Sequence, residues 1–236
     1  MPNHVTNNLK FECSDEQMKS ILDYLRVEGE ELGSVDFNKL IPMPETLKIE
    51  SGSRGTRGYE VYVRYLEETE NITDEKEKES VRDRLISEYK IDKESFDLGK
   101  QYYENKEKYG SFTWYDWSYD NWGTKWNAYD HIPVEPSDHF IQFNTAWAGV
   151  PQLVKLISEK FPDVEITYSY ADEDIGYNVG QYVFKGGEVT GEHIPYGGTK
   201  EAYLMAAEIQ GYSMEDLREF TGFSEIEKVV ADKSER

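Results

Sequence analysis

Two stretches of the chain, more than a hundred residues apart, follow one pattern. From Val5 to Cys13 the side chains alternate, with Val5, Asn7, Leu9, Phe11 and Cys13 on one face and His4, Thr6, Asn8, Lys10 and Glu12 on the other, as in a half-buried strand. Ser14 and Gln17 then form a capping box, and Met18, Ile21, Leu22 and Leu25 follow at helical spacing until Gly29 and Gly33. A second short strand fits Ser34 to Leu40 and stops before Pro42 and Pro44. The order returns later: Phe140 to Thr145 alternates, Pro151 opens a helix with Leu153, Leu156, Ile157 and Phe161, and Val164, Ile166, Tyr168 and Tyr170 alternate again. Strand, helix and strand, twice over, define an α+β ferredoxin-like split β-α-β sandwich with helices on one sheet face. Gly176 to Phe184 and Glu188 to Ile194, joined through Gly186-Gly187, read as a hairpin extending the sheet.

Between the halves lies a large mixed insertion at about 44–137. Gly58 to Leu66 alternates and reads as a strand; a helix follows Thr73 with Val81 and Leu85 inward, and another fits Lys93 to Lys108 with Gly110 at its end. Residues 1–198 thus form one domain with an insertion, and 199–236 a C-terminal helical extension. In that extension Thr199 caps a segment ending at Gly211, Ser213 with Asp216 caps a second ending at Gly222, and a third starts at Ser224.

Composition limits the function. The 47 acidic and 26 basic residues leave a formal charge of -21, which repels phosphate backbones and anionic membranes and disfavours direct nucleic-acid binding. Such a surface also admits the alternative of an acidic DNA mimic that inhibits a DNA-acting host enzyme. The single cysteine, Cys13, allows no internal disulfide, and no apolar run approaches the roughly 20 residues of a membrane span. The amino end lacks a charged and then hydrophobic signal, so a cytoplasmic location is expected.

Ser111 to Asp130 holds Trp114, Trp117, Trp122 and Trp126, four of the 5 tryptophans, with Phe112, Tyr115, Tyr119 and Tyr129 between them. The block reads as a half-buried aromatic ribbon with a turn or bulge at Gly123. Asn121-Trp122-Gly123-Thr124-Lys125-Trp126-Asn127-Ala128, followed by Ile141-Gln142-Phe143-Asn144-Thr145-Ala146-Trp147 and Pro151, resembles the signature of the YubB ferredoxin-like family of phage- and plasmid-encoded proteins. Met1-Pro2-Asn3-His4 with Asn7-Asn8-Leu9 is similar to that family's opening, although His4-Val5 stands where the family has Trp-Cys. Asp36 to Glu45 is similar to its second landmark. The resemblance implies a fold and a mobile-element origin, with a role in host takeover or counter-defence, and supplies no reaction.

Chemistry-bearing groups are sparse. The histidines His4, His131, His139 and His193 have no paired i, i+4 spacing, so no metal ligands are assigned. His131 and His139 beside Asp130 and Asp138 leave open a second alternative, a hydrolase or nucleotide-modifying enzyme. No Gly-x-Ser-x-Gly elbow, Walker loop or dinucleotide fingerprint occurs. The stretch Ser51 to Gly58 reads as a glycine-rich loop whose Arg54 and Arg57 suit a phosphate or carboxylate. The candidate ligand-binding residues are therefore Arg54, Arg57, Trp122, Lys125, Trp126, Asn127 and Trp147. No cofactor and no catalytic residue are assigned, and the partner expected is a host protein or a small, nucleotide-like anionic ligand bound without catalysis.

Overall fold

The computed structural model describes residues 3–213 and 215–217. It divides the chain into two compact units, residues 1–42 with 122–236, and residues 43–121.

The first unit is built on a five-stranded sheet of β1 (His4–Glu12), β2 (Phe140–Ala146), β3 (Glu165–Asp172), β4 (Val179–Lys185) and β5 (Glu188–His193). The strand order is β2-β1-β3-β4-β5, and every neighbouring pair is antiparallel. Alternation decides which side chains are buried. Val5, Leu9 and Phe11 face the core with Ile141, Phe143, Ile166 and Tyr168, and there meet Met18, Ile21, Leu22 and Leu25 of α1 (Asp15–Leu25). Leu153, Val154 and Ile157 of α6 (Pro151–Lys160) complete that core. The capping box at Ser14 and Gln17 is present, and Pro151 occupies the first turn of α6. This is the ferredoxin-like α+β arrangement, extended by the β4–β5 hairpin.

The strand expected at Ser34–Leu40 does not form. Asp36 accepts from the Asn38 amide, and Phe37–Lys39 makes a 3-10 turn instead. The Asn127 side chain accepts from the Phe37 amide at 2.8 Å and donates to the Asp36 carboxylate at 2.8 Å, so the backbone is satisfied locally and needs no ladder. The outer edge of β2 is covered by residues 129–134. Tyr129 and Asn144 exchange backbone hydrogen bonds at 3.1 and 2.7 Å, and the Ile132 amide donates to Gln142 at 3.3 Å.

On the opposite face of the sheet lies α7 (Lys200–Gln210), where Ala202, Ala206 and Ile209 pack on Ala171 and Val179. Leu217 is buried against Ala207. Ser213 and Asp216 make their cap hydrogen bonds, while the rest of the two last expected helices lies outside the described residues.

The second unit ends at Asn121, whereas the insertion is expected to reach about 137. It is helical: α2 (Ser53–Thr69), α3 (Glu75–Tyr89), α4 (Lys93–Tyr109) and most of α5 (Trp114–Trp122). The strand expected at Gly58–Leu66 and the loop expected at Ser51–Gly58 are both corrected by α2. Val61, Tyr62, Tyr65 and Leu66 meet Leu85 and Phe96 along one helical stripe. Gly55 and Gly58 stand in this helix because α4 comes so close: a Cβ on Gly58 would strike the Ser95 carbonyl, and one on Gly55 the Tyr102 ring. The expected aromatic ribbon is likewise the helix α5, which begins with the Trp117 amide donating to Thr113 at 3.2 Å; Gly123, at φ 74°, supplies the turn that follows it.

Candidate functional site

The end of the sheet where β1 begins and β2 and β3 finish gathers the unusual side chains of the first unit. Trp126 sits 6.2 Å from Tyr129, edge to face, and Tyr129 is 5.6 Å from the His4 ring, with its hydroxyl 2.7 Å from His4 Nδ1. The Tyr129 hydroxyl also donates to the Thr145 carbonyl at 3.2 Å. Burial, followed by the charges of Asp130 and Glu173, pushes its pKa up to about 12, so the phenol stays protonated at neutral pH. Lys125 lies over two indoles together, its Nζ 4.5 Å from the Trp126 centroid and 5.0 Å from that of Trp147.

Trp147 has φ 68°, a left-handed backbone that a bulky side chain seldom adopts. The neighbourhood holds it there. Its amide donates to Asn3 O at 2.9 Å, and its carbonyl accepts from Asn178 Nδ2 at 3.0 Å. Asn178, itself left-handed at φ 46°, also donates to Asp172, which accepts from Asn3 Nδ2 and from the Asp174 amide. Below the loop a buried network fixes residues 148–150. The Tyr168 hydroxyl donates to Asn7 Oδ1 at 2.7 Å and accepts from the Val150 amide at 2.7 Å, while Asn7 Nδ2 donates to Thr145 Oγ1 and Thr145 donates to Ala148 O. Among the described residues, three of the five non-glycine residues with positive φ, Asp130, Trp147 and Asn178, belong to the segments at this end. Strain held by so many hydrogen bonds is characteristic of sites that present side chains outward.

The structure thus brings Lys125, Trp126 and Trp147 together and gives the other named residues different work. Trp122 is buried, its indole N–H donating to Ile41 O at 3.0 Å and its ring edge-on to Phe37. The Asn127 amide is engaged by Asp36 and Phe37. Arg54 and Arg57 belong to the second unit, where Arg54 pairs with Glu50 at 2.9 Å and Glu94 at 3.4 Å, and Arg57 donates to the Tyr89 carbonyl. His131 and His139 are bonded to Glu30 and Asp15 respectively, at 2.8 and 2.9 Å. Among the described residues no three His, Cys, Asp or Glu side chains converge as metal ligands. Tyr129, His4 and Asn178 are the site residues that sequence reasoning misses. Asn178 carries no signal at all, and His4 is visible in sequence without any link to Tyr129.

The topology and this strained, aromatic strand end define a ferredoxin-like domain with an outward-facing Trp-Lys-Trp cluster. Residues 121–216 match the family model described as the ferredoxin-like domain in Api92-like protein, so the match begins one residue before the first unit resumes. The crystal structure of protein api92 from Yersinia pseudotuberculosis aligns with 84% of this chain and 100% of its own, at 12% identity and a TM-score of 0.37. No curated protein matches the chain.

Proposed function

We propose that this chain is a non-enzymatic binding protein that docks a host protein through Lys125, Trp126 and Trp147, and that it derives from a phage or plasmid of the YubB ferredoxin-like kind. Its place is the host cytoplasm, in takeover or counter-defence. The observation that carries the reading is the Lys125 ammonium held over two half-buried indoles, one of them on a left-handed backbone. Indoles fixed in this way supply large contact area at low entropic cost, and tryptophan is prominent among residues that dominate binding energy at protein interfaces. A protein fits better than a nucleotide, because Lys125 already covers the ring faces and Arg54 and Arg57 are engaged by Glu50, Glu94 and Tyr89. The residues that build the face also fall in the two runs, Asn121–Ala128 and Ile141–Trp147, on which the YubB resemblance rests. Residues outside 43–121 hold 28 of the 47 acidic but only 13 of the 26 basic side chains, so a partner with a basic rim would be steered to this unit.

Affinity capture from bacterial lysate, followed by binding measurements with the purified partner, tests this. Trp126→Ala and Trp147→Ala are expected each to weaken binding by roughly 30-fold, the scale of an interface hot spot. Full affinity in both variants, with the fold intact, would overturn the proposal. Binding that ignores the indoles but fades with salt and with neutralised carboxylates would favour the acidic DNA mimic instead.

A further inference from the structure

Away from the aromatic end, the sheet face under α7 carries a row of polar side chains in strict register. Gln142 pairs with Asn8, Asn8 with Ser169, Ser169 with Gln181, and Gln181 with His193, so amide, hydroxyl and imidazole groups cross all five strands. The strand ladders use the backbone groups beneath them, and Asn8 donates its side-chain amide to Ile209 O of α7 at 2.9 Å, which leaves Ser169 and Gln181 as the hydrogen-bonding floor. Beside the row, α7 packs on Ala171 and Val179, and a cavity of about 610 Å³ opens between it and the floor. Its wall is mixed, with apolar Leu204, Met205 and Ile209 beside Lys200, Glu201 and Glu208. Its latch is His193 Nε2 on Glu201 at 2.8 Å, which ties β5 to the start of α7.

At the β1 side of the floor stands Lys10, next to Thr167 in the register. Among the described residues it has no ion pair, although the chain carries 47 acidic side chains. The other ammonium of the lining, Lys200, has a partner of its own, so Lys10 beside hydroxyl and amide groups is the place for one negative charge, and Glu201 and Glu208 on the wall disfavour a ligand carrying more. The volume lies in the range of pockets for small molecules.

We infer that this groove binds a small amphipathic carboxylate bearing an amide, of the N-acyl amino acid class. The acyl chain lies along Leu204 and Met205, the amide meets Ser169 and Gln181, and the carboxylate meets Lys10. This site is independent of the aromatic face, so either can fail alone.

The probe is N-octanoylglycine, titrated into the full chain and followed through the methionine methyl NMR signals, with Met205 assigned by Met205→Leu. The Met205 signal is expected to move, and N-octanoylglycine amide, lacking the charge, to bind about tenfold more weakly. In Lys10→Gln the two probes should bind equally, at the weaker level. N-acetylglycine, lacking the chain, should leave the Met205 signal in place. Absence of a Met205 shift at millimolar N-octanoylglycine would overturn the inference, as would a Lys10→Gln protein that still prefers the carboxylate. Lys10 is exposed, so that variant should fold.

Discussion

Trp147 joins two opposing demands in one residue, a large ring to be displayed and a backbone that large residues avoid. A left-handed conformation costs a non-glycine residue about 1–2 kcal/mol, and glycine is exempt. Trp147→Gly should therefore be more stable than Trp147→Ala by about 1 kcal/mol, the reverse of the usual order at most positions, while both lose the indole. Urea denaturation of the pair measures this, and an alanine variant at least as stable as the glycine one would mean that φ 68° carries no strain. Tyr168 acts on the same loop from below. Tyr168→Phe leaves Asn7 Oδ1 and the Val150 amide without their buried partner and should cost about 1–3 kcal/mol, with earlier hydrogen exchange at Val150. From the sequence, Lys125, Trp126 and Trp147 stand out by residue type alone. What holds them does not, because Asn7 reads as one more position on an apolar face, and its role depends on a tyrosine 161 residues away.

At the scale of elements, α2 and α4 are held together by glycine. A Cβ on Gly99 would fall on the Gly58 carbonyl group and the Tyr59 amide, so the two backbones touch where the helices cross. Gly99→Ala must push them apart, at a cost of about 1–3 kcal/mol typical of overpacking. Gly52, with open space around it and an extended φ of 167°, is the control: Gly52→Ala should stay within about 0.5 kcal/mol of the parent. Equal midpoints for the two variants would show that the crossing is looser than the distances imply. The same glycines explain why α2 is illegible in sequence. Ser-Gly-Ser-Arg-Gly-Thr-Arg-Gly has the composition of a loop, and Tyr59, Val61, Val63 and Tyr65 satisfy a strand period as well as Val61, Tyr62, Tyr65 and Leu66 satisfy a helical one. Contact with α4, remote in sequence, decides between them. By contrast β1, α1, β2, α6 and β3 are legible because each has one strong period, and a capping box or a proline marks the start of each helix.

Across the whole molecule, the buried tyrosines set an upper limit on pH. Burial first, and then neighbouring charges, raise the pKa of Tyr129 and of Tyr170 to about 12, and burial holds that of Tyr168, fully enclosed, well above the ordinary tyrosine value. The unfolded chain releases these protons near pH 10, so between there and about 12 the unfolded state binds fewer protons than the folded one. Stability from these groups is complete below about pH 10 and declines as pH rises through the folded values. Urea midpoints should fall across that window together with the appearance of tyrosinate absorbance, and a Tyr170→Phe protein should fall less. Midpoints that stay level up to pH 12 would contradict the burial of these phenols.

The sequence by itself determined the twice-repeated strand and helix order, the hairpin that extends the sheet and the residue types of the aromatic cluster. These are local matters of period, capping and turn chemistry. Only the tertiary structure decided that Ser34–Leu40 would be a turn held by Asn127, that residues 129–134 would cover the outer edge of β2, and that Lys125 would lie between Trp126 and Trp147. Each of these depends on which distant group satisfies a backbone amide or fills a face, and no local propensity contains that information.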